Sequence, residues 1–353
     1  MGDEFGKIRL AAAQVAPVFL DREATVEKAC DYIRQAGAEG ADVIGFPEGF
    51  IPAHPSWYSF QPMTTAKSMK LAARLFKNAV VIPGPDTDKL RQACREAQVT
   101  AVIGVCEKRP ETTGTMYNTQ LFIGPDGRIL GKHQKLVPTV GERLVHTGGW
   151  GDTLHAYPAP FGNISGLICG ENSNPLAQYA LLTEHTVVHV ASWPPHFGLN
   201  QSMENAIMTS GRGVAYTLGA FVINAPGVVT DAMIEAYAET EADNAVMEGF
   251  KETGAASIIN PMGSIVAGPM EAGEGILYAD VDLDQVLSAK LLHDFSGHYN
   301  RFDVFTVNVN RHAPKPLNSE PGERAWSDPT EQDAELDADP AYPRPVKTAG
   351  SGD

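Results

Sequence analysis

Basic residues are scarce in this 353-residue chain: 27 lysines and arginines stand against 43 aspartates and glutamates, a formal net charge of −16. A surface of that sign repels nucleic-acid phosphate and anionic lipid, so neither is expected as a partner. It sets no barrier to a neutral small molecule. Cysteine is scarce too. The four cysteines, Cys30, Cys94, Cys106 and Cys169, form no CxxC pair, which argues against a zinc cage or a dithiol redox motif. No apolar run approaches the ~20 residues of a membrane-spanning helix. Residues 1–10 lack a basic start followed by an apolar run and are not expected to be an export signal. Position 6 is Gly, where a myristoylation signal needs Ser or Thr. Few cysteines and no export signal favour a cytoplasmic setting.

What is present is globular composition, 43% hydrophobic and 20% charged, with apolar material enough for a large core. Short apolar strands alternate with helical stripes. Strands are expected at 8–15, 43–46, 101–106, 164–168, 186–191, 220–224 and 276–281. Val26, Ala29, Cys30, Ile33 and Ala36 recur at helical spacing, with Gly40 as the stop. Leu90, Ala93, Cys94 and Ala97 form a second stripe. Asn174-Pro175 opens a helix through Leu182 as an N-cap followed by proline, and another helix is expected near 203–217. Gly124-Pro-Asp-Gly127 and Pro261-Met-Gly263 read as hairpin turns. The fold class is therefore α/β with mixed rather than purely parallel sheets. Residues 1–313 are expected to form a single domain. Residues 314–353, acidic and rich in proline, are expected to be a disordered tail.

Cys169 stands apart from the other cysteines. Cys30 and Cys94 lie on helix stripes and Cys106 inside a strand, which reads as structural burial. Cys169 ends a buried strand just before a helix, at the kind of sheet edge where α/β sites form. A nearby helix start favours thiolate. Gly170 lets a substrate approach the backbone, and its N–H could donate to a developing anion.

Three charged residues occupy comparable positions. Glu48 ends a strand between Phe46 and Phe50. It is either a solvated loop carboxylate or a desolvated one with a raised pKa, which suits a general base. Lys135, in Gly131-Lys-His-Gln-Lys-Leu-Val-Pro-Thr139, is a surface lysine or a fixed ammonium beside a nucleophile. Glu142 either forms a salt bridge with Arg143 or another neighbour, or orients Lys135 or shares in proton transfer.

In order and context these segments resemble the nitrilase superfamily of carbon–nitrogen hydrolases. The carriers are Phe46-Pro-Glu-Gly-Phe50, Lys132-His-Gln-Lys-Leu-Val-Pro-Thr139 and Cys169-Gly-Glu-Asn172, within a likeness spanning about residues 7–310. The resemblance implies a four-layer α-β-β-α sandwich. It also implies Cys169 as nucleophile, Glu48 as general base, Lys135 as transition-state stabiliser and Glu142 as a fourth polar member. Residues 169–181, Ala191-Ser-Trp-Pro-Pro195 and His298-Tyr-Asn-Arg-Phe-Asp303 are similar to the true nitrilase branch. Phe302 stands where that branch usually has proline, and Gly170 where many members have tryptophan. The implied reaction turns an organic nitrile, aliphatic or arylaliphatic, into a carboxylic acid and ammonia through a cysteine thioimidate and thioester. An amidase or carbamoylase using the same residues is the alternative, and a non-catalytic scaffold a more distant one.

Trp57, Tyr58, Trp193, Pro194 and His196 are the candidate substrate-pocket residues, with ordinary packing as the competing reading. His185 and His189 flank a strand-like segment, which would hold them ~13 Å apart, too far to share an ion. No metal and no cofactor are expected. The resemblance also implies self-association into dimers and larger spirals, with residues near 54–80, 225–250 and the tail as contact segments.

Overall fold

The computed structural model describes residues 5–110, 112–197 and 202–314. Beyond Pro314 the expected tail lies outside them. In chain order the elements are β1 (Lys7–Gln14), α1 (Arg22–Ala38), β2 (Val43–Gly45), α2 (Ala66–Asn78), α3 (Pro85–Ala97), β3 (Thr100–Lys108), β4 (Met116–Ile123), β5 (Ile129–Gln134), β6 (Tyr157–Ala159) and β7 (Gly162–Ile168). There follow α4 (Pro175–Leu182), β8 (Thr186–Trp193), α5 (Met203–Leu218), β9 (Phe221–Pro226), α6 (Asp231–Tyr237), α7 (Glu241–Lys251), β10 (Ser257–Ile259), β11 (Ile265–Ala267), β12 (Gly275–Asp282) and α8 (Asp284–His293).

The strands form two six-stranded sheets, ordered β12-β1-β2-β3-β4-β5 and β11-β10-β9-β8-β7-β6. Both are mixed. In the first, β1, β2 and β3 run parallel, while β12, β4 and β5 pair antiparallel at the flanks. In the second, β7, β8 and β9 are the parallel centre. The hairpins expected at 124–127 and 261–263 are the β4–β5 and β10–β11 connections.

Strand alternation divides the apolar residues between layers. Along β1, Leu10 and Ala12 face the second sheet, where they meet Val190, Phe221 and Ile223. Ala11 and Ala13 face the other way, onto Val26, Ala29 and Ile33 of α1 and Leu90 of α3. On the opposite side α4 and α5 cover Leu167, Ala191 and Val222 of the second sheet. The result is a four-layer α-β-β-α sandwich. Asp21 caps α1, accepting the Ala24 N–H at 3.0 Å. Gly45 marks a close approach of the sheets: a Cβ there would lie 2.7 Å from Val190 Cγ1. Helices α2, α6, α7 and α8 were not expected. The first three build a separate apolar cluster, with Trp57, Leu75, Tyr237 and Met247 buried together.

Candidate active site

Four positions from three distant stretches of sequence converge at one edge of the two sheets. Glu48 follows β2, and its N–H donates to the Trp193 carbonyl of the other sheet at 3.1 Å. Lys135 follows β5, its N–H held by the Asn118 carbonyl of β4 at 2.8 Å. Glu142 lies in the 3₁₀ turn Val140–Leu144, with one carboxylate oxygen accepting the Thr139 N–H at 2.8 Å. Cys169 opens the 3₁₀ turn Cys169–Ser173, directly after β7.

The Lys135 ammonium donates to Glu48 Oε1 and to Glu142 Oε2, both at 2.7 Å. All three side chains are essentially without exposed surface. Buried charges at such short range are favoured only when paired and hydrogen-bonded, as these are. Glu48, His54 and Glu142 could each offer a metal donor within 4.8 Å of one another, but Lys135 already supplies the cation between the two acids.

Electrostatics here run against one expectation. Burial pushes the Glu48 carboxyl up, as anticipated, but the Lys135 charge and His54 more than offset it, and the net direction is down. Glu142 is held well below the ordinary carboxylate range: burial raises it, and the bonds to His146 and Lys135 win. Burial would lower Lys135, yet Glu48, Cys169 and Glu142 hold it well above the usual lysine value. For Cys169, burial and the charge of Glu48 outweigh Lys135 and the Gly170 N–H, and the thiol is pushed well up. The expected helix start, α4 at Pro175, follows the 3₁₀ turn Cys169–Ser173. The resting site therefore holds a protonated thiol beside ionised carboxylates.

Cys169 has a left-handed backbone, φ 54°, a conformation costly for a residue with a Cβ. Its surroundings hold it there. Asn172 donates to the Cys169 and Leu167 carbonyls, each at 3.0 Å. His189 Nε2 lies 2.9 Å from Asn172 Oδ1, and its Nδ1 lies 2.9 Å from Ser165 Oγ. Burial pushes His189 down to about 3, so the ring is neutral. Gly170 is exposed, and a Cβ there would meet only Thr139 Oγ1, at 3.9 Å. The left-handed turn thus sets a buried Cys169 directly before an exposed Gly170.

The aromatic candidates fall in different places. Tyr58 is half-buried, and burial together with Glu48, Glu142 and Cys169 pushes its phenol up, which sets it in the field of the site. Trp193 is buried, with its indole N–H on Asn224 Oδ1 at 3.0 Å, and its carbonyl holds Glu48. Pro194 beside it is buried. Trp57 packs against Tyr237 in the separate apolar cluster. His196 is buried and stacked on Phe250, its ring nitrogens without hydrogen-bond partners, and burial pushes it down to about 3. His185 is a left-handed residue just ahead of β8.

Residues that sequence reasoning passed over complete the network. Asn118 donates to both Glu48 and Glu142, and His54 Nε2 stands 3.4 Å from Glu48 Oε1. His146 Nδ1 lies 3.1 Å from Glu142 Oε1. Glu171 lies within Cys169-Gly-Glu-Asn172, and its spacing from Cys169 gives no hint of its bonds to the Leu136 and Ile168 N–H groups.

The profile of the carbon-nitrogen hydrolase family matches residues 9–291. A protein named nitrilase 2, from an unknown prokaryotic organism, is 39% identical over 310 residues, covering 87% of this chain and 94% of that protein. An aliphatic nitrilase of Rhodococcus rhodochrous is 34% identical over 321 residues, covering 88% of this chain and 85% of its own. Among solved structures, a carbon-nitrogen hydrolase from Helicobacter pylori matches with a TM-score of 0.62 at 17% identity, covering 82% of this chain and 94% of that one, a likeness of fold.

Proposed function

The chain belongs to the carbon–nitrogen hydrolase family, in its nitrilase branch, and from that membership we propose that it hydrolyses organic nitriles to carboxylic acids and ammonia through a cysteine-bound intermediate. The substrates in this reading are aliphatic or arylaliphatic, as the name of the Rhodococcus relative supports for the first class. The observation that carries the proposal is the buried Lys135 ammonium, 2.7 Å from both Glu48 and Glu142 and within the field of the Cys169 sulfur.

In this mechanism Cys169 Sγ attacks the nitrile carbon. Its proton passes through Glu48 to the nitrile nitrogen, giving a thioimidate. A protonated thiol beside an ionised acid supports transfer within the attack rather than before it. Lys135 and the Gly170 N–H stabilise charge growing on the nitrogen. One water then adds to the thioimidate carbon, and collapse of the tetrahedral adduct expels ammonia and leaves a thioester. A second water, deprotonated by Glu48, displaces the sulfur and releases the acid. Departure of sulfur before ammonia gives the amide instead.

Ammonia release from an arylacetonitrile, an aliphatic dinitrile, benzonitrile, cyanide and the matching amides tests the reading, with Cys169→Ala as control. Nitrile turnover lost in the variant supports it. Turnover of amides alone moves the protein to the amidase alternative, and appreciable activity in the variant overturns the nucleophile.

The proposal extends to self-association. An outer groove of about 790 Å³, lined by Leu176, Tyr179, Phe295, Tyr299, Phe305 and Val307, offers an apolar surface for a second copy. The segments 54–80 and 225–250 stay candidate contact segments in this reading; they bury Trp57, Leu75, Tyr237 and Met247 within the chain, while Met69 is exposed. No helix among the described residues is long and apolar enough to cross a membrane. The four cysteines are free thiols, which supports a reducing cytoplasmic setting. Sedimentation velocity of wild type and Phe305→Glu tests the association: an unchanged distribution removes the groove from it.

A further inference from the structure

Asn118 lies within β4 with no exposed surface. Its side-chain nitrogen stands 2.7 Å from Glu48 Oε1 and 2.7 Å from Glu142 Oε1. Ionised carboxylate oxygens only accept, so both contacts need hydrogens, and the amide group has two to give. Its Oδ1 is buried without a partner, while its backbone carbonyl holds the Lys135 N–H. One residue thus ties both acids together and sets the backbone of the lysine between them.

The two oxygens of Glu48 are treated unequally. Oε1 receives Lys135 and Asn118, each at 2.7 Å, with His54 Nε2 at 3.4 Å. Oε2 is buried and receives no hydrogen bond. We propose that Asn118 is a positioning residue of the hydrolytic site, locking Glu48 through Oε1 and leaving Oε2 as the atom that exchanges protons with the Cys169 sulfur and with water. This rests on the reading of Glu48 as general base. The chemistry favours an amide in this place. Two carboxylates share one ammonium, so a further donor is needed to hold them. A second cation would stabilise the Glu48 anion until it became a poor proton acceptor, whereas a neutral amide supplies the hydrogen bonds without the full charge.

The groups facing Glu48 are Lys135, Glu142, His54 and Cys169, with Tyr58 in the same field and His146 behind Glu142. Removing a donor from the ionised form raises a carboxyl's pKa. Asn118→Ser and Asn118→Asp separate aim from mere packing, since the second is isosteric. Three readouts are taken: kcat and KM across pH 5–9 on the best nitrile, the rate of Cys169 alkylation by iodoacetamide over the same range, and thermal melting. For Asn118→Ser, kcat falls about 30-fold with KM within about threefold, and the acid limb of both profiles moves up by about one unit. For Asn118→Asp, which adds a third carboxylate, activity is lost at neutral pH and partly returns on acidification, as the new acid is protonated.

A folded variant whose acid limbs coincide with those of wild type, or whose kcat is unchanged, overturns the proposal. So does failure of both variants to fold, which makes Asn118 a residue of the sheet alone. If wild type turns over no nitrile, the nitrilase reading fails by itself, and the alkylation profiles still decide the role of Asn118.

Discussion

Glu171 accepts the backbone N–H of Leu136 on one carboxylate oxygen, at 2.7 Å. Its other oxygen accepts the Ile168 N–H and lies beside His133 Nε2, both at 3.1 Å. One buried acid thus joins the residue after Lys135 to the residue before Cys169, across the two sheets. Glu171→Gln presents an NH₂ to a donor that now finds a carboxylate. It is expected to cost about 2 kcal/mol in urea unfolding and to lower kcat more than it raises KM. Wild-type stability and kcat in this variant would show that the link is ornamental.

The acids and the lysine set how stability follows pH. Glu142 is depressed in the folded state, burial being overcome by His146 and Lys135. Its contribution is present above its unfolded pKa and is lost as pH falls through the folded value. Lys135 is raised, burial being overcome by Glu48 and its neighbours. Its contribution is complete below its unfolded pKa and is lost as pH rises through the folded value. Urea unfolding of wild type and Glu142→Gln should therefore differ most near neutrality, with the difference shrinking below about pH 4.5. A difference independent of pH would contradict the depressed carboxyl.

Glycine carries unequal burdens at two positions. A Cβ at Gly104 of β3 would fall 1.9 Å from the Pro47 carbonyl oxygen and 2.9 Å from the Gly49 nitrogen, on either side of Glu48. Gly104→Ala must move that loop, and is expected to cost about 2 kcal/mol or more and most of the activity. Gly213, on an exposed turn of α5, would place a Cβ with nothing within 4 Å. Gly213→Ala should stabilise the fold by about 0.5–1 kcal/mol and leave kcat/KM unchanged. Thermal melts with nitrile kinetics check the pair, and equal behaviour would refute the contrast.

Gly170 is a place where bulk can be added. It is exposed, and only Thr139 Oγ1 lies near its absent Cβ. Gly170→Trp is expected to change stability by no more than about 0.5 kcal/mol. It should shift KM for an arylacetonitrile more than for a short aliphatic nitrile, because the indole narrows the approach to Cys169 while the backbone N–H stays. Equal KM changes for both substrates would place the substrate elsewhere.

The ends of buried strands were legible in the sequence because apolar runs stop abruptly there, at Pro47 before Glu48 and at Cys169 before Gly170. The sandwich was legible in part. Alternating strands and stripes gave the mixed sheets and the two hairpins, but α2, α6 and α7 pack into a cluster with Cys106 and Met116 at the side of the first sheet, and no strand-to-strand rhythm announced them. The polar support of the site was not legible. Asn118 sits in Met116–Ile123, a strand buried on both faces, where alternation vanishes and a polar residue has no distinguishing period. Glu48 was correctly expected to be desolvated, yet its direction of shift depended on a lysine 87 positions away. Trp57 and His196 follow Glu48 and Trp193 closely in sequence, and their rings pack against Tyr237 and Phe250, partners that no local pattern announces.

The interior holds Glu48 and Glu142 against a single Lys135, which leaves it with a surplus negative charge. In the proposed reaction a nitrile, which carries no net charge, meets these groups without opposition. The acid made from it ionises at neutral pH and then confronts two carboxylates at short range in a medium that screens poorly. In that reading each turnover converts a neutral guest into one that these carboxylates repel, and its departure clears the way for the next molecule.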